Sequence, residues 1–344
     1  MRRYLLIIGL IIFFIRVSNA DVKEVMGDWV GAFSTEMGDT GTLMAQVIAL
    51  GNDSCQVVIQ IGEGDAKLAL VGQMQAGKIA FDTKVNLGSE LGGEYRVKGE
   101  LSPENFSGTF EGLENSGTFQ LQKVKKSSPT IGKQPPEGAI VLFDGKSLAG
   151  WKQLPIKKKD KIIEGEGPAK WKILEDGAME VTKGNITPLK TWGDHLLHIE
   201  FRIPFMPEQH GQKRGNSGVY VHGRYEVQVL DSYGREPKDN LCGGIYKKAT
   251  PLVNACLPPL EWQTYDITFY ASKFNESGEK IQNAVISVEH NGVVIHDRVE
   301  LDGPTPGGIT DDEKAPGGLM LQDHNDPVQY RNIWVLPLES SEEK

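Results

Sequence analysis

The chain has 344 residues, with 37 Lys and Arg against 46 Asp and Glu, a formal net charge of −9, 40 Gly, 18 Pro and 3 Cys. That length accommodates about two domains, each able to bury a core. The acidic balance argues against a nucleic-acid partner, which requires concentrated basic surface to neutralise phosphates, and abundant Gly and Pro beside many Val, Ile and Thr favour short strands over a helical bundle.

The chain begins with Met1-Arg2-Arg3, an apolar run from Tyr4 to Ile15, and the small residues Ser18 and Ala20. A charged start, a short apolar stretch and a small-residue cleavage site define a signal peptide over residues 1–20, too short to span a bilayer. The expectation is export, to the periplasm or outside the cell, with no membrane span left after cleavage.

From residue 21 to 124 the sequence alternates in eight short segments divided by Gly, Asn and Asp, which predicts a small β-barrel or β-sandwich. It contains no His, and a binding or spacer role is expected. Residues 125–137 mix Lys, Ser, Gly and Pro without apolar periodicity, as a linker does. A second all-β domain is expected over 138–338, followed by a charged tail at 339–344. Within it Asn291-Gly292 marks a tight hairpin, since both central residues of such a turn need positive φ. Cys242 and Cys256 bracket one short loop and are the pair expected to form a disulfide in an oxidising compartment, leaving Cys55 over; the alternative is three small buried residues.

Strand side chains alternate between faces. In the stretch from Val219 to Val229, counting straight through Gly223-Arg224 puts Val219, Val221, Tyr225, Val227 and Val229 on one face and Tyr220, His222, Glu226 and Gln228 on the other. The same count groups His198, Glu200 and Arg202, and groups Met320, Gln322 and His324. Such rows are either the wet faces of half-exposed sheets or the lining of a groove. Glu226 and Asp231 are too far apart and oppositely directed for a two-carboxylate glycosidase, whereas Glu226 with Glu200 from another strand stays geometrically open. No strand–GxGxxG–helix context and no metal-type Cys/His spacing appears.

Further stretches are Leu142-Phe143-Asp144-Gly145-Lys146-Ser147-Leu148, Gly215-Asn216-Ser217-Gly218-Val219-Tyr220, Tyr225-Glu226-Val227-Gln228-Val229-Leu230-Asp231-Ser232, Gly243-Gly244-Ile245-Tyr246 and Leu321-Gln322-Asp323-His324. Together with Glu200-Phe201-Arg202, Glu261-Trp262-Gln263-Thr264-Tyr265-Asp266 and His290-Asn291-Gly292, they give residues 138–338 a sequence that resembles the 3-keto-disaccharide hydrolase family. The resemblance implies a concanavalin A-like jelly-roll sandwich acting on 3-keto-glycosides. A ketone at C3 acidifies the C2 proton, so deprotonation, loss of the C1 oxygen and hydration would complete the cleavage. On that reading Glu226 is base or acid, and His222 and Arg224 donate to the enolate. The remaining sugar contacts fall to Asn216, Tyr220, Gln228, Tyr246, Gln322, His324, Glu200 and Asp231, the last alternatively orienting a loop. No cofactor is evident, a divalent metal is not excluded, and a separate dehydrogenase would supply the oxidised sugar. The competing readings are a lectin-like binding module and a glycosidase acting on unoxidised sugars.

Overall fold

The computed structural model describes residues 21–63, 67–88, 92–158, 161–315 and 317–338; the expected signal peptide and the charged tail lie outside them. The eight N-terminal segments form β1 (Gly27–Thr35), β2 (Thr40–Gly51), β3 (Ser54–Ile61), β4 (Lys67–Gln75), β5 (Lys78–Asn86), β6 (Glu94–Leu101), β7 (Phe106–Gly112) and β8 (Ser116–Val124). Each pairs with the next and β8 closes onto β1, giving a barrel with no open edge. Closure demands tight strand approach, and glycine provides it: a side chain on Gly31 or Gly108 would run into the backbone of the neighbouring strand. Inward residues such as Trp29, Val47, Ile79, Phe106 and Leu121 make the barrel core.

The second half is a two-sheet sandwich. The smaller sheet has six strands and ends in the Ser217–Val221 and Tyr225–Val229 hairpin; the larger has eight, with His195–Arg202 between Gln329–Pro337 and Trp262–Tyr270. Val219, Val221, Tyr225 and Val227 of the smaller sheet meet Ile199, Phe201, Ile267 and Phe269 of the larger in one buried cluster. Each such side chain, fully buried, contributes roughly 1.5–3 kcal/mol. Asn291 and Gly292 take φ of 53° and 75°, the turn their sequence predicts. Among the described residues no helix is long and apolar enough to cross a membrane.

The segment between the domains is held down along its length. Ser128 and Thr130 hydrogen-bond Thr264, Lys133 pairs with Asp266 at 2.9 Å, and the Gly132 N–H donates to Glu200 at 2.6 Å. Glu200 also accepts from Arg331 at 2.7 Å and Asn332 at 2.8 Å. All these partners lie on the outer face of the larger sheet, because Glu200 alternates with core residues Ile199 and Phe201. Glu200 therefore sits across the sandwich from Glu226, which faces outward from the smaller sheet. The pairing of these two carboxylates that the sequence left open does not form, and the expected sugar contact by Glu200 is corrected on the same ground: Glu200 clamps the linker.

Burial alone would raise the Glu200 pKa, but donors from His198, Asn332, Gly132 and Arg331 bring it down to about 2. A depressed carboxyl stabilises the fold above its ordinary pKa and loses that contribution as pH falls through the folded value. Urea melts should accordingly show Glu200→Gln losing less stability than the parent between pH about 4.5 and 2. At pH 7 Glu200→Ala should cost about 3–5 kcal/mol, since it strands buried donors.

Candidate active site

The hairpin places the site. Ser217–Val221 pairs with Tyr225–Val229 so that Tyr220 opposes Glu226 and Gly218 opposes Gln228. Three residues, His222, Gly223 and Arg224, make the turn, with φ of 55° at His222 and 68° at Gly223. An odd-length connection preserves parity, so Tyr220, Glu226 and Gln228 share the outward face as the alternation predicts. Tyr246 joins them, because the bridge from Val227 to Ile245 sets it beside Glu226 and its N–H donates to the Glu226 carbonyl at 3.0 Å.

Glu226 is 3% exposed. Its Oε2 accepts from the Tyr220 hydroxyl at 2.8 Å, and among the described residues nothing donates to Oε1. Gly218 leaves the space that the carboxyl occupies, since any side chain there would collide with Oε1. Burial pushes the Glu226 pKa up to about 7, against a modest opposing pull from the Tyr220 hydrogen bond. The same Tyr220 hydroxyl lies 3.0 Å from the Pro306 carbonyl and accepts from Gln322 Nε2 at 3.2 Å. One hydroxyl proton cannot serve Glu226 and Pro306 fully at once. A protonated Glu226 donating to Tyr220 resolves that competition, so proton uptake by Glu226 and the orientation of Tyr220 are linked.

Amides surround this pair. Asn216 donates to the carbonyl and side-chain oxygens of Gln212 at 2.8 and 3.1 Å, and Gln228 donates to the same Gln212 side chain at 3.2 Å. The Oδ1 of Asn216 and the Oε1 of Gln322 are buried without a partner, two acceptors of the kind that sugar hydroxyls satisfy. Gln212 carries no motif and escapes sequence reasoning; its place in the long loop before Asn216 is the one signal for it.

Four expected residues are placed elsewhere. His222 donates from Nε2 to the Trp192 carbonyl at 2.8 Å, which leaves Nδ1 to accept from Arg224 at 3.0 Å. Burial, assisted by Arg224, lowers the His222 pKa. Arg224 also donates to the carbonyls of His222 at 2.9 Å and Ala315 at 2.7 Å. Both side chains thus brace the hairpin tip; neither hydrogen-bonds Glu226 or Tyr220, and Arg224 Nε is buried without a partner. Asp231 is buried against Arg214 at 2.5 Å, and Arg214 reaches the Ala49 carbonyl of the barrel at 2.9 Å; it joins the domains and has no hydrogen bond to Glu226 or Tyr220. His324 is exposed, with no hydrogen bond to the Glu226 group. Cys242 and Cys256, the expected disulfide, are free thiols; Cys242 lies 3.2 Å from the Tyr265 hydroxyl, and Cys256 donates to the Leu257 carbonyl at 3.4 Å. Among the described residues no group of three or more His, Cys, Asp or Glu gathers to hold a metal ion.

The nearly all-β two-sheet architecture is consistent with a glycosyl hydrolase-like β-sandwich fold. Residues 138–336, more than half the chain, match the 3-keto-alpha-glucoside-1,2-lyase-like domain, and the chain belongs to that family. A solved structure from Parabacteroides distasonis, described provisionally as a glycosyl hydrolase, is 36% identical over 59% of this chain and 85% of its own, with a TM-score of 0.51. Another from the same organism, described in the same terms, is 19% identical over 59% of this chain and 95% of its own, with a TM-score of 0.43. No curated protein matches the chain.

A carboxyl whose pKa is raised destabilises the fold when ionised: stability is full below its ordinary pKa of 4.5 and is lost as pH rises through about 7. Glu226→Gln removes that penalty. Thermal unfolding should find the variant more stable than the parent at pH 8, by up to about 3 kcal/mol, with the gap closing by pH 4. An equal gap at both pH values would contradict the burial of an ionisable group here.

Proposed function

We propose that this chain is an exported enzyme that cleaves the glycosidic bond of 3-keto-glycosides by elimination across C1 and C2, followed by hydration. The observation that carries the reading is the buried Glu226 carboxyl, held near neutral pKa beside one hydroxyl donor. A base that must take a weakly acidic C–H proton and return it to a leaving oxygen works best with a pKa near the operating pH. The lyase chemistry in the family's name supports the same route.

In the first step ionised Glu226 takes the C2 proton, and the C–H electron pair forms the C2–C3 double bond of an enolate. Tyr220 and Gln322 supply O–H and N–H donors for the enolate oxygen, a term worth roughly 3–4 kcal/mol per well-aimed donor in oxyanion sites. The enolate then re-forms the C3 ketone, its C2–C3 pair becomes the C1–C2 double bond of an enone as the C1–O bond breaks, and protonated Glu226 gives its proton to the departing oxygen. Water adds to C1 while C2 regains a proton, so the sum is hydrolysis. Asn216 and Gln228, tied together by Gln212, hold the sugar ring. The Tyr220 hydroxyl, which donates to ionised Glu226 in the free protein, turns its O–H to the enolate oxygen as Glu226 takes up the C2 proton. The C3 ketone comes from a separate dehydrogenase reaction.

The test is an assay of the purified chain from residue 21 on 3-keto-trehalose, 3-keto-sucrose and the unoxidised parents, with and without chelator. Cleavage should be confined to the keto sugars, and the chelator arm reports any divalent-ion requirement. Because the base must be ionised, kcat/KM should rise with pH to a plateau above about 7. Glu226→Gln should lose at least about 10³-fold in kcat and Tyr220→Phe about 10–100-fold, both retaining sugar binding. Equal rates on oxidised and plain disaccharides would overturn the elimination route, and sugar binding without turnover would make the chain a lectin-like module.

A further inference from the structure

The barrel contains a cavity of about 330 Å³, lined by Phe33, Leu43, Ile61, Val85, Tyr95 and Phe110 among others. Its position follows from the topology. One end of the barrel is plugged by Trp29, whose indole N–H donates to the Val25 carbonyl at 2.9 Å and whose ring meets Phe106 edge-on. That end sits on the sandwich: the Asn52 N–H donates to Glu208 at 2.7 Å, and Arg214 reaches the Ala49 carbonyl. The last residues of β1, β5 and β7 lie toward the opposite end, and residues of that end, Thr35, Leu87 and Asn115, line the cavity. The mouth is therefore at the end opposite Trp29, where Lys67 at the start of β4 pairs with Glu236 of the sandwich at 2.9 Å.

Three observations distinguish this space from a packing defect. An eight-stranded barrel is just wide enough for its side chains to fill or for one small ligand, and this volume lies within the range of small-molecule sites. Most of the described lining residues, Leu43, Ile59, Leu68, Val97 and Phe119 among them, carry apolar side chains, so water inside gains few hydrogen bonds and an apolar molecule replaces it readily. Met37, 70% exposed, and Leu113, 93% exposed, stand in the connections at the mouth, where apolar side chains lie on the path of an entering apolar molecule. The outer wall carries ion pairs such as Lys78 with Glu100 and Arg96 with Asp82, so the barrel is wet outside and apolar within, the reverse of a membrane barrel.

We infer that the barrel binds one small, uncharged, apolar molecule, which enters by the distal mouth. Among the described residues Glu114 is the one charged residue of the lining, and no Lys, Arg or His faces the space, which disfavours anions such as fatty acids. The inference does not depend on the reaction assigned to the sandwich.

The experiment titrates the purified chain with N-phenyl-1-naphthylamine, an uncharged aromatic amine with one N–H, and with its sulfonated relative 1-anilinonaphthalene-8-sulfonate. Saturable one-to-one fluorescence enhancement is expected with the uncharged probe, at micromolar Kd, and binding at least about tenfold weaker with the sulfonate. Val85→Trp fills the cavity and should weaken the uncharged probe at least about tenfold, with melting temperature unchanged. If Val85→Trp melts early, Leu68→Phe serves in its place. Absence of saturable binding, or affinity retained by a well-folded cavity-filled variant, overturns the inference.

Discussion

Burying the Glu226 carboxyl beside a single hydroxyl donor opposes folding, and the hairpin around it is built to bear that cost. Val219, Val227 and Tyr225 on the inner face anchor both strands in the inter-sheet core, which holds the hairpin rigid. Gly218 is the opening in that face. His222 and Arg224 tie the tip of the hairpin to Trp192 and Ala315, and the Glu226 N–H is taken by Thr305 at 2.9 Å. The carboxyl is left dry and under-partnered, which is what holds its pKa near neutrality.

The two buried glutamates of the sandwich show how partners decide a pKa at equal exposure. Glu226 has one hydroxyl and rises to about 7; Glu200 has four donors around it and falls to about 2. Glu200 is ionised at any ordinary pH and can only attract, so it suits a clamp for the linker. Glu226 exchanges its proton near neutral pH, so it suits acid–base chemistry.

Alternation made much of this legible. The eight barrel segments, the Asn291-Gly292 turn and the shared face of Tyr220, Glu226 and Gln228 all follow from period-two patterns and turn chemistry. Parity says which residues share a face of a strand, but not which sheet the strand joins; Glu200 and Glu226 therefore looked like neighbours and lie on opposite sides of the sandwich. His222 belonged to the right parity row yet fell in the turn, where alternation ends and its ring nitrogens are taken by a carbonyl and an arginine. Gln212 had no pattern at all, since a loop residue gains its place from tertiary contacts alone. The Cys242 and Cys256 thiols, close in sequence and in the core, each satisfy their S–H locally.

The central claim is that the glycosidic bond breaks by elimination, with Glu226 moving the C2 proton. Cleavage of 3-keto-trehalose in D₂O, with the released keto sugar analysed at once by NMR and corrected for exchange of product standing in the same buffer, reads that claim directly. Elimination and hydration predict deuterium at C2 of the released sugar. Retention of the original proton at C2 would contradict the account and show that the bond is cleaved by direct displacement at C1.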